Sequence, residues 1–313
     1  MLGPTLSVHA SDQGHGPNSL SAHVGHTPLL ALSTRCATIN MYGKAEWFNP
    51  SGSIKDRSVL SILKSAERGG LLSSRKTILD STSGNAGIAY AMIGSSLGYK
   101  VKLALPKNAN DERKRLLRAY GVELVYTDPL EGSDGAIRKA REIHAGTPEE
   151  YFYADQYSNE ANWRGHYETT AVEVWEQTKG TITHLVAGVG TGGTIMGIGK
   201  RLKEFNPQIK IIAVQPDSPF HGLEGLKHLK TSMTPKIYDP QFPDRTIEVT
   251  TDDAQQTVRR LAREGLLIGP SSGAAVVAAT KIAEEINSGT IVTVLPDGGE
   301  RYLTERFWEE KPK

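Results

Sequence analysis

The chain lacks the features that mark membrane, secreted and nucleic-acid-binding proteins. No apolar run approaches the ~20 residues that a membrane span requires, and no basic start with an apolar stretch resembles a signal peptide. The 36 basic and 35 acidic residues nearly balance, so the charge gives no case for nucleic acid or an anionic membrane. We therefore expect a cytoplasmic protein without nucleic-acid or membrane partners.

The chain also has few cysteines, and its N-terminal histidines form no recognised motif. Cys36 is the single cysteine, so no disulfide can form within the chain, and no motif around it indicates catalysis. The histidines near the N-terminus (His9, His15, His23 and His26) have no recognised metal-ligand spacing, so no metal site is predicted. Residues 1–20 are rich in Ser, Gly, Pro and His, which indicates a flexible N-terminal arm.

Short β-branched runs alternate with helix-like segments along the rest of the chain. Strands are predicted at residues 76–80, 99–106, 122–128, 182–188, 210–215 and 290–296. Helix-like segments at 86–98, 109–121 and 251–265 each end at a glycine. This alternation is typical of an α/β fold with parallel sheets flanked by helices. Ligands of such folds bind beyond the carboxyl ends of the strands, so those junctions are the places to search.

The junction after the first predicted strand reads STSGNAG, residues 81–87. Its small polar residues precede a helix, whose N-terminal N–H groups favour a carboxylate or a phosphate. An ordinary N-cap is the alternative, but a cap needs only one Ser or Asn. The segment therefore favours an anion site.

The junction GVGTGGT, residues 188–194, predicts a glycine-rich phosphate cup. Gly188, Gly190 and Gly193 also satisfy G-x-G-x-x-G, which makes a dinucleotide-binding unit a rival interpretation. A dinucleotide-binding unit would have an acidic residue at the end of the next strand. This chain has Gln215 there, and Asp217 follows slightly beyond that position. A third junction, IGPSSGAA at 268–275, could simply cap a helix.

The segment NPSGSIKDRSV, residues 49–59, places Lys55 at a predicted helix start. A cation there faces the unfavourable end of the helix dipole. The small residues that precede it leave room for another group beside the lysine. A buried lysine can have a lowered pKa and act as a nucleophile or proton shuttle. Together with a phosphate cup and a second anion site, it indicates pyridoxal phosphate held as an imine beside an amino-acid substrate.

The segments NPSGSIKDR, STSGNAGIAYA, GVGTGGT and PSSGAA occur in the order and spacing of the cysteine synthase and cystathionine β-synthase family. The chain resembles this family from about residue 21 to about 305. The resemblance implies two domains, each with a mainly parallel sheet flanked by helices, and pyridoxal phosphate in the cleft between them. A small substrate-gripping domain is expected at 49–159, and a large cofactor-binding domain at 21–48 plus 160–313.

The resemblance also implies roles for individual residues. Lys55 matches the lysine that forms the imine and later moves the Cα proton. The implied cofactor-binding residues are Asn85 beside the ring hydroxyl, Ser271 facing the pyridine nitrogen, and Gly190, Thr191, Gly192, Gly193 and Thr194 around the phosphate. The implied substrate-binding residues are Thr82, Ser83, Gly84, Ala86 and Gln156. Ala86 departs from many cysteine synthases, which carry threonine there.

Lys227 lies in the segment HGLEGLKHLKT, residues 221–231. Relatives that use O-acetylserine tend to have small residues and many glycines in this segment. A cation there could meet the phosphate leaving group of O-phosphoserine. The alternative is a solvated lysine on a mobile loop, and the sequence leaves both open.

The activity implied is β-replacement on an activated L-serine, O-acetylserine or O-phosphoserine, with a sulfur nucleophile to give L-cysteine. Cystathionine formation from serine and homocysteine, and serine or threonine dehydration, are the alternatives within the fold. A scaffold protein that lost the chemistry is the alternative outside it, and retention of Lys55, Asn85, the glycine cup and Ser271 argues against that. A homodimer is expected from relatives, and a serine acetyltransferase partner is left open.

Overall fold

The computed structural model describes residues 19–82 and 84–309. Ser83 and the arm before residue 19, with His9 and His15, lie outside the described residues. Contacts divide the described chain into two compact units. The smaller unit holds residues 19–24 and Ala66–Tyr153, and the larger unit holds Gly25–Ser65 and residues 154–309.

Strands and helices alternate along most of the chain. The strands are β1 (Leu29–Leu32), β2 (Ile39–Ala45), β3 (Thr77–Ser81), β4 (Val101–Pro106), β5 (Glu123–Thr127), β6 (Tyr151–Tyr153), β7 (His184–Gly188), β8 (Lys210–Pro216), β9 (Arg245–Val249) and β10 (Gly289–Leu295). The α-helices are α1 (Lys55–Arg68), α2 (Asn85–Ser96), α3 (Asp111–Ala119), α4 (Gly132–Gly146), α5 (Glu160–Gly165), α6 (Ala171–Gln177), α7 (Gly193–Phe205), α8 (Thr251–Arg263) and α9 (Pro270–Glu285). A π-helical turn, His166–Thr170, joins α5 to α6.

The smaller unit is built on a parallel sheet with the strand order β5-β4-β3-β6. Ile78 and Leu79 are adjacent on β3 and both fully buried, because helices cover both faces of a parallel sheet. Gly94 lets α2 approach closely, since a Cβ there would lie 2.7 Å from a Val101 methyl carbon.

The larger unit is built on a sheet with the order β1-β2-β10-β7-β8-β9, in which only β1 pairs antiparallel. Ile291 and Leu295 of β10 join a core cluster with residues of α8 and α9, whereas Val292 and Val294 join a second cluster with residues of α7. Successive β10 side chains therefore enter cores on opposite faces of the sheet. This sheet aligns the carboxyl end of β7, where the predicted glycine-rich segment begins, with the carboxyl end of β10.

The predicted α/β fold class is confirmed, and strands lie at all six predicted places. Gly98, Gly121 and Gly265, which follow the predicted helices, have φ of +79°, +79° and +88°, as helix-ending glycines do. The domain spans remain a prediction. The contact-based division differs from them in assigning residues 49–65 and 154–159 to the larger unit and residues 21–24 to the smaller unit. Among the described residues, no helix is long and apolar enough to cross a membrane.

Candidate active site

Lys55 is the first residue of α1, directly after a turn in which Gly52 has a φ of +82°. The backbone N–H of Ile54 donates to the carbonyl of Pro296 at 2.8 Å, which fixes this turn against the chain just after β10. The Lys55 side chain is half-buried. Burial lowers the pKa of its amine, although the charge of Asp297 opposes the shift. A larger neutral fraction makes the amine a better nucleophile and proton acceptor.

A buried ionic network anchors the first turn of α1. The Arg57 guanidinium lies 2.7 Å from carboxylate oxygens of both Glu46 and Glu173, and Lys44 Nζ lies 2.6 Å from Glu173. Burial would raise the pKa of Glu173, but hydrogen bonds and charges from Arg57 and Lys44 lower it to about 2. Because removing one member would leave a buried charge uncompensated, this network holds the helix that carries Lys55.

The glycine-rich segment forms a cup between β7 and α7. Gly192 has a φ of +85° and precedes the first helical residue, Gly193. A Cβ at Gly190 would lie 2.1 Å from the carbonyl oxygen of Gly225, and one at Gly193 would lie 2.0 Å from Asn162 Oδ1. Only glycine fits these positions. With backbone N–H groups at the positive end of a 13-residue helix, the residues present fit a phosphate.

Two threonines of the cup are held by buried side chains. Thr191 Oγ1 accepts from the backbone N–H of Gly193 at 3.3 Å and from Asn162 Nδ2 at 3.1 Å. Thr194 Oγ1 lies 3.4 Å from His166 Nε2. Burial, reinforced by the charges of Arg57 and Lys55, lowers the pKa of His166 well below its usual value. This histidine is therefore neutral at physiological pH.

Ser271 lies in the first turn of α9, after Pro270 at the first helical position. It is buried, and so is Ser272, whose hydroxyl donates to the carbonyl of Asp297 at 3.3 Å. The Tyr302 hydroxyl donates to the Asp297 carboxylate at 2.6 Å. The start of α9 is thus fixed to the end of β10 and presents a buried, neutral hydroxyl, which fits an uncharged partner for a ring nitrogen.

In the smaller unit, the segment after β3 leads directly into α2, as predicted. Thr82 Oγ1 accepts from the backbone N–H of Gly84 at 3.2 Å, and Asn85 is the first helical residue. Ala86 is buried. The start of this 12-residue helix, with Gly84 before it, fits an anion-binding helix N-terminus.

Gln156 and Lys227 lie close to the cup in the larger unit. Gln156 is buried, and its carbonyl accepts from Asn162 Nδ2 at 2.6 Å. The backbone N–H of Lys227 donates to the carbonyl of Val189 at 2.9 Å, immediately before the cup. Lys227 is only 7% exposed, and its Nζ lies 5.0 Å from the centre of the Tyr157 ring. This geometry does not fit a solvated lysine on a mobile loop.

The larger unit therefore carries Lys55, the cup, Ser271, Gln156 and Lys227, and the smaller unit carries the loop at residues 82–86. The sequence patterns missed Asn162, His166 and the network around Arg57. The segment NEANWRGH contains Asn162 and His166 but matches no motif, and nothing in it shows that these side chains reach the cup.

Known proteins similar to this chain share its length and its fold. The family described as pyridoxal-phosphate dependent enzyme matches residues 20–297. A cysteine synthase of Aquifex aeolicus is 50% identical over 299 residues, which cover 92% of this chain and 91% of the relative. The crystal structure of a cysteine synthase from Entamoeba histolytica has a TM-score of 0.90 and 34% identity, covering 100% of this chain and 94% of the other. An O-acetylserine dependent cystathionine β-synthase from Helicobacter pylori has a TM-score of 0.86 and 30% identity, covering 92% and 97%.

Proposed function

Since the chain belongs to the cysteine synthase family of pyridoxal-phosphate dependent enzymes, we propose that it makes L-cysteine by β-replacement on an activated L-serine, with a sulfur nucleophile. Pyridoxal phosphate is its cofactor. The observation that carries the proposal lies in the larger unit. It combines a half-buried lysine amine with a lowered pKa, a cup whose positions 190 and 193 admit only glycine, and a buried serine hydroxyl.

Each of these groups has a distinct task in the proposed reaction. When bound, pyridoxal phosphate supplies an electron sink for the Cα carbanion of the amino acid. Lys55 would hold the cofactor covalently; once the substrate amine had displaced it, the freed Nζ would accept the Cα proton and later return it. The cup, Gly190 to Thr194, binds the phosphate through backbone N–H groups.

The partner of the pyridine nitrogen selects the reaction type. The Ser271 hydroxyl is neutral, so it does not force the ring nitrogen to remain protonated as a carboxylate would. A less protonated ring withdraws electrons more weakly, which favours loss of the β-substituent over transamination. This is the electronic reason for proposing β-replacement.

The proposed substrate contacts use the small polar loop and Gln156. Backbone N–H groups of Thr82, Ser83, Gly84 and Ala86 bind the substrate carboxylate, and Gln156 assists. Asn85 lies beside the ring hydroxyl in this proposal. Ala86 supplies its N–H without the hydroxyl that threonine provides in many relatives, so we expect weaker carboxylate binding at this position.

We propose O-phosphoserine as the preferred donor, with Lys227 meeting its phosphate. The support is the burial of Lys227, its position over Tyr157, and the hydrogen bond from its N–H to Val189 just before the cup. A cation held there is well suited to a phosphate leaving group and gives little advantage with an acetate.

Cystathionine formation from serine and homocysteine is the second candidate. The observation that favours it is the similar Helicobacter pylori structure, whose described activity is that of an O-acetylserine dependent cystathionine β-synthase. Serine or threonine dehydration is the third, since water could finish the same elimination. From the family resemblance we further propose that the protein is cytoplasmic and forms a homodimer. The mass of the purified protein in solution would test the dimer.

The function is tested by incubating the purified holoenzyme with O-acetylserine, O-phosphoserine or serine, each with sulfide or homocysteine. Mass spectrometry of the products identifies both substrates in one set of reactions. We expect L-cysteine from an activated serine and sulfide. Cystathionine as the main product would favour the second candidate, and pyruvate without sulfur incorporation would favour the third.

A further inference from the structure

Asn162 occupies a position that no motif indicated, on the short helix α5 between the Gln156 segment and the cup. Its side chain is 2% exposed. The same Nδ2 group donates to the carbonyl of Gln156 at 2.6 Å and to Thr191 Oγ1 at 3.1 Å. One amide thus joins the proposed carboxylate-binding segment to the proposed phosphate site.

The other end of this amide also fits closely against the cup. A Cβ on Gly193 would lie 2.0 Å from Asn162 Oδ1, so the backbone at the start of α7 is packed directly against the amide oxygen. The two hydrogen bonds and this contact use the whole side-chain amide, and all of them are buried. A shift of Thr191 or Gly193 would therefore change the contacts of Asn162, and a shift of Asn162 would change its hydrogen bond to the Gln156 carbonyl.

We propose that Asn162 is a positioning residue that couples the cofactor phosphate site to the substrate-carboxylate site. This proposal rests on the proposed function, because it assigns the phosphate to the cup and the carboxylate to the Gln156 segment. Asn162 touches neither the cofactor nor the substrate in this account. It acts by holding Thr191 and the main chain of Gln156 in register.

The coupling has a physical basis in buried hydrogen bonds. Loss of the amide removes one donor from the Gln156 carbonyl and from the Thr191 hydroxyl, both in buried residues, which is costly when the groups stay buried. Each group is then expected to shift toward other partners, and both binding sites lose their preorganised geometry. We expect cofactor and donor binding each to weaken about 10-fold to 100-fold.

The test compares Asn162→Ala with Asn159→Ala in the holoenzyme. Asn159 caps the same helix: its side chain accepts from the N–H of Ala161 at 3.0 Å and donates to the carbonyl of Ala154 at 2.9 Å. Its loss destabilises α5 without removing a contact to the cup, so it controls for general loosening. Cofactor release on dialysis, the KM and kcat for the donor at saturating cofactor, and the Tm are measured for both variants.

We expect Asn162→Ala to release cofactor at least about 10-fold faster and to raise the donor KM about 10-fold, with kcat changed less than about 3-fold. Asn159→Ala should lower the Tm and leave cofactor release and KM within about 2-fold of the parent. Parent-like cofactor release and KM in Asn162→Ala would overturn the proposal. So would equal changes in both variants, because the effect would then come from a loosened helix.

Thr191→Val keeps the test decisive if Asn162→Ala does not fold. Valine keeps the side-chain volume and removes the hydroxyl, which accepts from Asn162 Nδ2 and from the backbone N–H of Gly193. If the coupling is real, this change in the cup must also raise the donor KM at saturating cofactor, and an unchanged KM would overturn it. A parent protein that holds no pyridoxal phosphate would instead overturn the proposed function itself.

Discussion

Gly190→Ala is the substitution whose consequence the structure defines most sharply. The new Cβ would lie 2.1 Å from the carbonyl oxygen of Gly225, and real Cβ atoms essentially never approach other heavy atoms closer than 3.0 Å. The two backbones must therefore separate by roughly 0.9 Å or more. Because the obstacle is a main-chain carbonyl and not a flexible side chain, rotamer changes cannot relieve it.

Overpacking of this kind costs about 1–3 kcal/mol, and we expect the upper half of that range for a backbone clash. The same displacement opens the cup, so we expect pyridoxal phosphate to bind at least about tenfold more weakly, since about 1.4 kcal/mol corresponds to a factor of ten. Equilibrium unfolding in denaturant gives the first quantity, and cofactor titration of the apoenzyme gives the second.

Gly146→Ala is the matched control, because Gly146 ends α4 and a Cβ there meets nothing within 4 Å. It should be neutral or stabilise the protein by up to about 1 kcal/mol and leave cofactor binding unchanged. The reasoning is refuted if Gly190→Ala matches the parent in both unfolding free energy and cofactor affinity.

Three further substitutions test other parts of the site. Lys55→Ala should lower kcat by about 10²- to 10⁴-fold in a cysteine-formation assay while leaving the circular dichroism spectrum unchanged; residual activity within tenfold of the parent would contradict its role. Lys227→Ala should raise the KM for O-phosphoserine about tenfold and the KM for O-acetylserine less than twofold. The control Lys230→Ala, at an exposed lysine, should change neither KM. Equal shifts of the two KM values in Lys227→Ala would reject the assignment. Glu173→Gln should cost about 3–5 kcal/mol at pH 7. Glu173 has a folded pKa of about 2 against a usual value of 4.5. Its contribution to the free energy of unfolding is therefore present above pH 4.5 and is lost as the pH falls toward 2. In denaturant titrations, the stability of the variant should vary less over that pH range than the stability of the parent.

The sequence predicted strands β3, β4, β5, β7, β8 and β10 and missed β1, β2, β6 and β9. β2 contains Gly43 and Lys44, and Lys44 reads as a surface residue although its side chain is fully buried against Glu173. β6 has three residues, too few for a periodic pattern. Such strands depend on partners distant in the chain, which a local pattern does not identify.

The candidate site shows the same division between local and distant determinants. The cup and Lys55 were predicted because glycine and lysine have local consequences at helix starts, whereas the role of Ser271 was implied only by the family resemblance. Asn162 and His166 reach the cup only through tertiary packing, from about 30 residues away in sequence for Thr191 and Thr194. The small residues before Lys55 have a further reason in the structure: Gly52 has a positive φ, and a Cβ there would lie 2.7 Å from the Arg301 guanidinium.

The central claim is that Lys55 holds pyridoxal phosphate covalently in the native enzyme. Borohydride reduction of the holoenzyme makes that carbon–nitrogen bond permanent, and proteolysis with mass spectrometry then locates the modified lysine. We predict a single phosphopyridoxyl group on the peptide that contains Lys55. A modified lysine elsewhere, or a cofactor that leaves the protein after borohydride treatment, would contradict the account.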